Sequence, residues 1–302
     1  MNESKERVDF LPNSAESTLS VVMPAKNEAL AIASVVKQVL IVVPAAEVIV
    51  VDDGSSDETA ALASGAGAKV VSHRYSMGNG AAIKTGVRAA NGEIVVFMDS
   101  DGQHSPSDIP RLLEQIDKGY DLVVGARSSS SQASVGRLAA NSFYNRFSTW
   151  IVGHKIEDLT SGFRAVVRSK FLQFLYLLPN GFSYPTTSTM AFFRAGYAVS
   201  YVPIKVHKRL GQSHIKIWKD GIRFLLIIFK IGTLYSPLKL FAPLCAALFA
   251  LGLGHYGYTY FTTERFTNMS ALLFISSLLF FALGLISEQI STLQYMKHES
   301  DK

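Results

Sequence analysis

Two acidic pairs carry the chemistry of this chain. In Ile94-Val-Val-Phe-Met-Asp99-Ser-Asp101-Gly-Gln103-His104, an apolar run ends abruptly in two carboxylates two residues apart. Carboxylates so placed repel unless a cation lies between them, and a hard divalent ion bridging to the phosphates of a nucleotide meets that need. Alone, the pattern reads equally as a strand ending in a polar turn. The second pair, Asp52-Asp53-Gly-Ser, follows another buried run, Glu47-Val-Ile-Val-Val51. An aspartate at such a tip can accept hydrogen bonds from a base or a ribose. Asp-Gly by itself is usually a turn, but two acidic tips on neighbouring strands point into one crevice.

Cations complete the set. Arg127 closes Val123-Val-Gly-Ala-Arg, and Arg137 follows ten residues later at the start of a helix. Guanidinium binds phosphate in bidentate fashion, which suits two arginines near a sheet edge. Asp158-Leu-Thr-Ser-Gly-Phe-Arg164 is either a capped loop or a source of an acid and an arginine for the crevice. Arg209-Leu-Gly-Gln-Ser213-His214 ends a cationic stretch that can fold over a diphosphate, with membrane-surface attraction the alternative for its lysines. Pro24-Ala-Lys-Asn27-Glu28 ends a first strand. Asn27 fits an N-cap and Glu28 a first helical turn, or both contact the nucleotide. Gly78-Asn-Gly80 lacks the third glycine of a dinucleotide fingerprint and reads as a tight loop opening a helix.

The elements that must position these groups alternate. Strands are expected at 19–24, 47–51, 68–72, 94–98 and 121–125. Helices are expected over 28–43, after Ser56 or Asp57 as cap, and from Gly78 to about Ala90. This order implies an α/β domain with a mostly parallel sheet and helices on both faces.

The last third differs. The 302 residues carry a net charge of +5 and a mean hydropathy of +0.22, and the apolar excess is concentrated in two blocks near 238–261 and 269–290. Each block has the roughly 20 apolar residues needed to span a bilayer, and neither has a charge at its centre. They predict a transmembrane hairpin, with paired core helices as the alternative. Ile215 to Tyr235 alternates apolar residues with Lys216, Lys219, Arg223 and Lys230, as an interfacial helix would. The basic residues before the first span place the catalytic region and both termini in the cytoplasm by the positive-inside rule. Met1 to Arg7 lacks a signal-peptide core. Cys245 is the single cysteine, so no intrachain disulfide forms. Gly252, Gly254 and Gly257 permit homo-oligomeric helix contacts. No nucleic-acid partner is expected.

The ordered motifs V-M-P-A-K-N-E, V-V-D-D-G-S-S-D, G-N-G-A-A, F-M-D-S-D-G-Q-H-S-P, V-V-G-A-R, D-L-T-S-G-F-R and R-L-G-Q-S resemble the family-2 inverting glycosyltransferases of GT-A fold. The similarity is strongest to the polyprenyl-phosphate branch, the group of dolichol-phosphate mannose synthase and the bacterial enzymes that charge undecaprenyl phosphate. It covers Leu19 to Ser213, and the hairpin extends it. The resemblance implies a flexible N-terminus (1–17), a GT-A domain (18–213), a juxtamembrane helix (214–236), a hairpin (237–291) and a tail (292–302). It implies that Pro24, Asn27 and Glu28 line the nucleotide site and that Asp53 or Asp52 contacts base or ribose. Asp99, Asp101 and Gln103 would hold Mg²⁺ or Mn²⁺ on the donor diphosphate. Arg127 and Arg137 would bind the lipid phosphate, Asp158 would lie at the acceptor and sugar, and Arg209 and Ser213 would close on the diphosphate. His214 stands where the family often has lysine. The implied partners are a UDP- or GDP-linked sugar, a polyprenyl phosphate and the membrane. A processive polysaccharide synthase is the first rival. It would carry Gln-x-x-Arg-Trp, whereas Gln212-Ser-His-Ile-Lys-Ile-Trp218 departs from it. A non-catalytic nucleotide-binding scaffold is the second.

Overall fold

The computed structural model describes residues 18–127, 135–181, 183–206, 226, 229, 232–233 and 236–300, without the side chains of 135–141 and 294–300. The expected strands form where β-branched runs occur: β1 (Leu19–Ala25), β2 (Glu47–Asp52), β3 (Lys69–Ser72), β4 (Ile94–Phe97) and β5 (Leu122–Arg127). Two further strands, β6 (Arg164–Val167) and β7 (Val199–Ile204), complete one seven-stranded sheet in the order β3-β2-β1-β4-β6-β5-β7. It is mixed rather than wholly parallel, because β6 runs antiparallel between β4 and β5. Both additions were hidden locally. β6 is four residues opened by an arginine, and β7 contains Pro203, which an edge strand tolerates because one side of it needs no ladder donors.

β1 leads outward to β2 and β3 on one side, whereas β4 pairs with its other side. The strand order therefore reverses between β1 and β4. The crevice beyond the carboxyl ends of strands at such a switch point is where open α/β sheets bind ligands. The tips there are Pro24-Ala25 of β1, Asp52-Asp53 after β2 and Met98-Asp99 after β4.

Helices cover the sheet. In α1 (Ile32–Val42), Ile32, Val35, Val36 and Val39 are buried, the i, i+3, i+4, i+7 stripe of a core-facing helix. In α2 (Thr59–Gly65) the buried residues are Thr59 and Ala63. α3 (Asn79–Ala89) lies close on β1, since a Cβ on Gly86 would sit 2.2 Å from Val22 Cγ1. After a short 3₁₀ turn come α4 (Ile109–Asp117), α5 (Val135–Val152), α6 (Arg168–Leu172) and α7 (Tyr184–Arg194).

By internal contacts the chain divides into Met1–Arg146 with Lys155–Gly221, and Phe147–His154 with Ile222–Lys302. The second unit holds α8 (Pro237–Thr263) and α9 (Asn268–Ser300). Both are long and apolar enough to cross a membrane, with mean hydropathies of 1.7 and 2.4 in their most apolar windows. Only 11% and 17% of those windows is buried, unlike the core helices of a soluble domain. Polar contacts tie α8 to α9: Leu238 N donates to Glu288 (3.2 Å), Ser277 Oγ donates to the Cys245 carbonyl (3.0 Å), and His255 Nδ1 meets Ser270 Oγ (3.0 Å). Gly252 is buried within this pair, where a Cβ would lie 3.2 Å from that of Leu273. Gly254 and Gly257 have no neighbour within 4 Å of such an atom. Gly252 thus serves the hairpin itself. The expected interfacial helix at 214–236 lies largely outside the described residues.

Candidate active site

A cleft of about 510 Å³ opens at the switch point, lined among others by Pro24, Glu28, Asp53, Asp99, Asp101, Gln103 and Arg127. Seven residues singled out from the sequence thus meet in one place. Lys26, Ser76, Gly78 and Asn79 line it as well.

The loops after β1 and β2 are fastened to each other. Asn27 does not cap a helix. It adopts φ 54°, and its Oδ1 accepts from Ser56 N (2.9 Å), while its own N–H donates to Ser55 Oγ (2.9 Å). Glu28 N–H donates to Thr59 Oγ1 (2.9 Å). This left-handed turn delays α1 to Ile32, four residues past the expected start. Asp57 bridges the same loops, accepting from Ala29 N (3.3 Å) and Thr59 N (3.1 Å).

Asp53, not Asp52, reaches the cleft. The Asp52 carboxylate stays in its own turn and accepts from Ser55 N (3.2 Å). Asp53 accepts from His73 Nδ1 (2.7 Å), Ser76 Oγ (2.7 Å), Met77 N (2.8 Å) and Gly78 N (2.9 Å). A carboxylate partner requires His73 to donate from Nδ1, and its Nε2 meets Thr85 Oγ1 (2.9 Å). Burial pushes the Asp53 carboxyl up, but the bonds from His73, Met77, Ser76 and Gly78 outweigh it and hold the group at about 2, against an ordinary 3.8. With four donors satisfied, Asp53 chiefly shapes the 73–78 wall of the cleft.

The stability consequence has a definite sign. A depressed carboxyl stabilises the fold above its unfolded value, and that contribution fades as pH falls from about 4 through about 2. The shift corresponds to about 2 kcal/mol at neutral pH. Asp53→Asn puts an NH₂ among four donors. We expect it to lower the thermal midpoint at pH 7 and to flatten the loss of stability between pH 4 and 2, read by melting across a pH series.

Gly78-Asn-Gly80 starts α3, as expected, but its helix N-terminus is not open to a phosphate. Gly80 N and Ala81 N donate to the carbonyls of Gly181 (3.3 Å) and Asn180 (2.9 Å). A Cβ on Gly80 would lie 2.0 Å from the Pro179 carbonyl, which is why glycine stands there.

At the β4 tip, Asp101 Oδ1 accepts from Gln103 N (3.0 Å), and Gly102 takes φ 74° in the turn between them. Asp99 Oδ2 lies 3.4 Å from His104 Nε2. Among the described residues no group of three His, Cys, Asp or Glu gathers in a way that would hold a metal ion. Two carboxylates and an amide do fit a hard cation whose remaining ligands come from a bound diphosphate and water.

Arg127 and Asp158 meet each other. Arg127 Nε and Nη2 donate to Asp158 Oδ2 and Oδ1 (2.8 and 2.9 Å), and Nη2 also bonds Thr160 Oγ1. Asp158 accepts from the backbone N–H groups of Arg127 (3.1 Å), Thr160 (3.0 Å) and Ser161 (3.1 Å). Burial raises its carboxyl, and Arg127 with these amides more than offsets that, leaving it below the usual range. The Asp158 side chain is 7% exposed and that of Arg127 28%, so the arginine alone keeps a face toward the cleft.

Arg164 is not in the crevice. It is fully buried and donates to Ser188 Oγ (2.8 Å), the Pro185 carbonyl (3.1 Å), Thr189 Oγ1 (3.2 Å) and the Ser161 carbonyl. It joins the loop before β6 to the first turns of α7. Arg137 falls on α5 with its side chain outside the described part, and Arg209, Ser213 and His214 lie outside the described residues. Sequence reasoning left unassigned Ser76, whose partner Asp53 lies 23 positions away, and His104, which the motif itself contains.

The model of glycosyl transferase family 2 matches residues 20–175, and that of the GtrB C-terminal hairpin matches 236–293. The dolichyl-phosphate hexose transferase of Haloferax volcanii is 30% identical over 205 residues, 67% of this chain and 89% of that protein. The polyprenol monophosphomannose synthase of Mycolicibacterium smegmatis is 32% identical over 210 residues, 64% of this chain and 79% of its own length. Glucosyl-3-phosphoglycerate synthase of Mycobacterium tuberculosis, solved with Mn²⁺, UDP-glucose and phosphoglyceric acid, superposes with a TM-score of 0.60 at 26% identity, covering 72% of this chain and 81% of that one.

Proposed function

The chain belongs to glycosyl transferase family 2, and on that premise we propose that it transfers a sugar from a nucleotide-sugar donor to a polyprenyl phosphate at a membrane surface. One observation carries the reading: Asp99, Asp101, Gln103, the Asp53-held loop and Arg127 line a single cleft at the sheet's switch point. The acceptor class is supported by the relatives named for dolichyl- and polyprenyl-phosphate transfer and by the hairpin on the same chain.

Asp99, Asp101 and Gln103 would hold a Mg²⁺ or Mn²⁺, which when bound offsets charge on the departing nucleotide diphosphate. Pro24 and Glu28 border the nucleotide, and Asp53 shapes its wall through Ser76 and Gly78. Asn27 acts one step back by fixing the loop that carries Glu28. The nucleophile is a phosphate oxygen, already anionic at pH 7, so no strong general base is required. Arg127 supplies positive charge for the incoming anion, and Asp158 orients its guanidinium rather than taking a proton. Arg137, Arg209 and Ser213 are assigned to the same phosphates on the family resemblance alone. In-line attack inverts the anomeric centre and turns an α-linked donor into a β-linked lipid product.

The domain division is proposed as catalytic domain 18–213, juxtamembrane helix 214–236 and hairpin 237–291. Both ends of the hairpin face the cytoplasm. A C-terminal tag is expected to be cleaved by protease from the cytoplasmic side only; cleavage only from the opposite side overturns this topology. The activity test incubates membranes containing the protein with labelled UDP- and GDP-sugars. Mild-acid-labile label in the organic phase is the expected result. Label in a high-mass polymer would make the protein a synthase, and no label with any donor would leave a nucleotide-binding scaffold.

A further inference from the structure

The Asp99 carboxylate sits between two groups that none of the roles above employs. On one side, His104 Nε2 lies 3.4 Å from Oδ2, within ion-pair range and just beyond the usual span of an N–H···O bond. On the other, the α-carbon of Gly162 is so near that a Cβ built there would fall 3.0 Å from Oδ2 and 3.1 Å from Oδ1. His104 is fixed in turn. It is 7% exposed, and its ring stacks on Phe163, with centroids 5.2 Å apart and planes at 19°. Phe163 is fully buried. The dipeptide Gly162-Phe163 therefore sets both walls, its glycine facing the carboxylate and its phenylalanine backing the histidine.

The tautomer follows from burial. His104 Nδ1 is buried with no hydrogen-bond partner among the described residues. Protonating Nδ1 would bury an unpaired N–H and turn a lone pair toward a carboxylate. Protonating Nε2 instead gives Asp99 a donor and leaves only a lone pair unmatched.

We propose that His104 is a positioning residue for the metal–nucleotide clamp, its Nε2–H holding the Asp99 carboxylate in the orientation that ligates the cation. The proposal rests on the metal reading of Asp99 and Asp101 above. It adds that the β4 tip draws on its surroundings, because β4 ends two residues before Asp99 and the carboxylate is flanked by His104 of the following turn and Gly162 of the β6 approach. Groups that orient ligands without touching the metal change affinity by roughly 10–100-fold when removed.

The test separates the N–H from the ring. His104→Gln keeps a donor at comparable reach and loses the stack; His104→Phe keeps the stack and loses the donor. Mn²⁺ binding is measured by electron paramagnetic resonance on the full chain in detergent, with UDP and separately with GDP. We expect His104→Phe to weaken Mn²⁺ at least tenfold while His104→Gln stays within about threefold of wild type. The reverse order, equal losses, or no loss in either variant overturns the positioning role while leaving the metal site standing. Wild type that binds Mn²⁺ with neither nucleotide overturns the metal reading and this inference together. Gly162→Ala offers a second route, since the added methyl presses on Asp99 and is expected to weaken Mn²⁺ with His104 intact.

Discussion

Replacing Asp101 by alanine is expected to cut sugar transfer about a thousandfold, or ~4 kcal/mol of barrier. Asp101 is 8% exposed, lines the cleft and organises its own turn through Gln103 N. Two losses coincide in the variant. One of the two carboxylates proposed as ligands would be gone, and the leaving diphosphate would lose the cation that site would hold. Chelating the wild type should reproduce the loss, and added Mg²⁺ or Mn²⁺ should restore wild type but not the variant. Initial rates of organic-phase label provide the readout. Near-wild-type transfer by Asp101→Ala with metal present would refute the metal assignment. Asp101→Asn is the companion measurement, since it retains an acceptor for Gln103 N and separates turn geometry from charge.

Asp158→Ala is expected to destabilise the fold by about 3 kcal/mol, because it leaves a partly buried guanidinium without its counter-ion. It also strands three backbone donors, on Arg127, Thr160 and Ser161. A fall of roughly 10 °C in the melting midpoint of the catalytic unit should follow. Arg127→Lys tests the other partner. A point charge cannot reproduce the two-pronged contact, so a smaller destabilisation is expected together with a large loss of transfer. If Arg127 acted independently of Asp158, the destabilisations of Asp158→Ala and Arg127→Ala would add in the double variant. A coupling energy between the two therefore distinguishes an orienting pair from two separate site residues.

The legible parts of this protein share one physical property. β1, β2, β4 and β5 are short β-branched runs bounded by proline, aspartate or glycine, so burial and termination are both written locally. The hairpin is legible because a bilayer demands about 20 apolar residues in a row, a condition that neighbours do not alter. The acidic tips at Asp53 and Asp99 were legible as parts of one cleft, because each follows a buried strand at the same edge of the sheet. Helix α1 starts later than its periodicity predicts because Asn27 and Glu28 bond to Ser55, Ser56 and Thr59 across a different loop. Helix periodicity carries no record of that.

By itself the sequence determined the groups available: a paired carboxylate tip, a second acidic loop, arginines after a strand end, and two apolar segments long enough to span a bilayer. Those follow from residue types and short spacings, where the chain's own geometry decides. Only the tertiary structure decided who meets whom. It placed Asp53 rather than Asp52 in the cleft, bound Arg127 to Asp158 thirty-one positions later, withdrew Arg164 into the core, closed the α3 N-terminus with the carbonyls of Asn180 and Gly181, and set His104 beside Asp99. Each of these except the last joins segments distant in the chain. The last depends on one too, because the Phe163 ring that holds His104 reaches it only after an antiparallel strand has been inserted into the sheet.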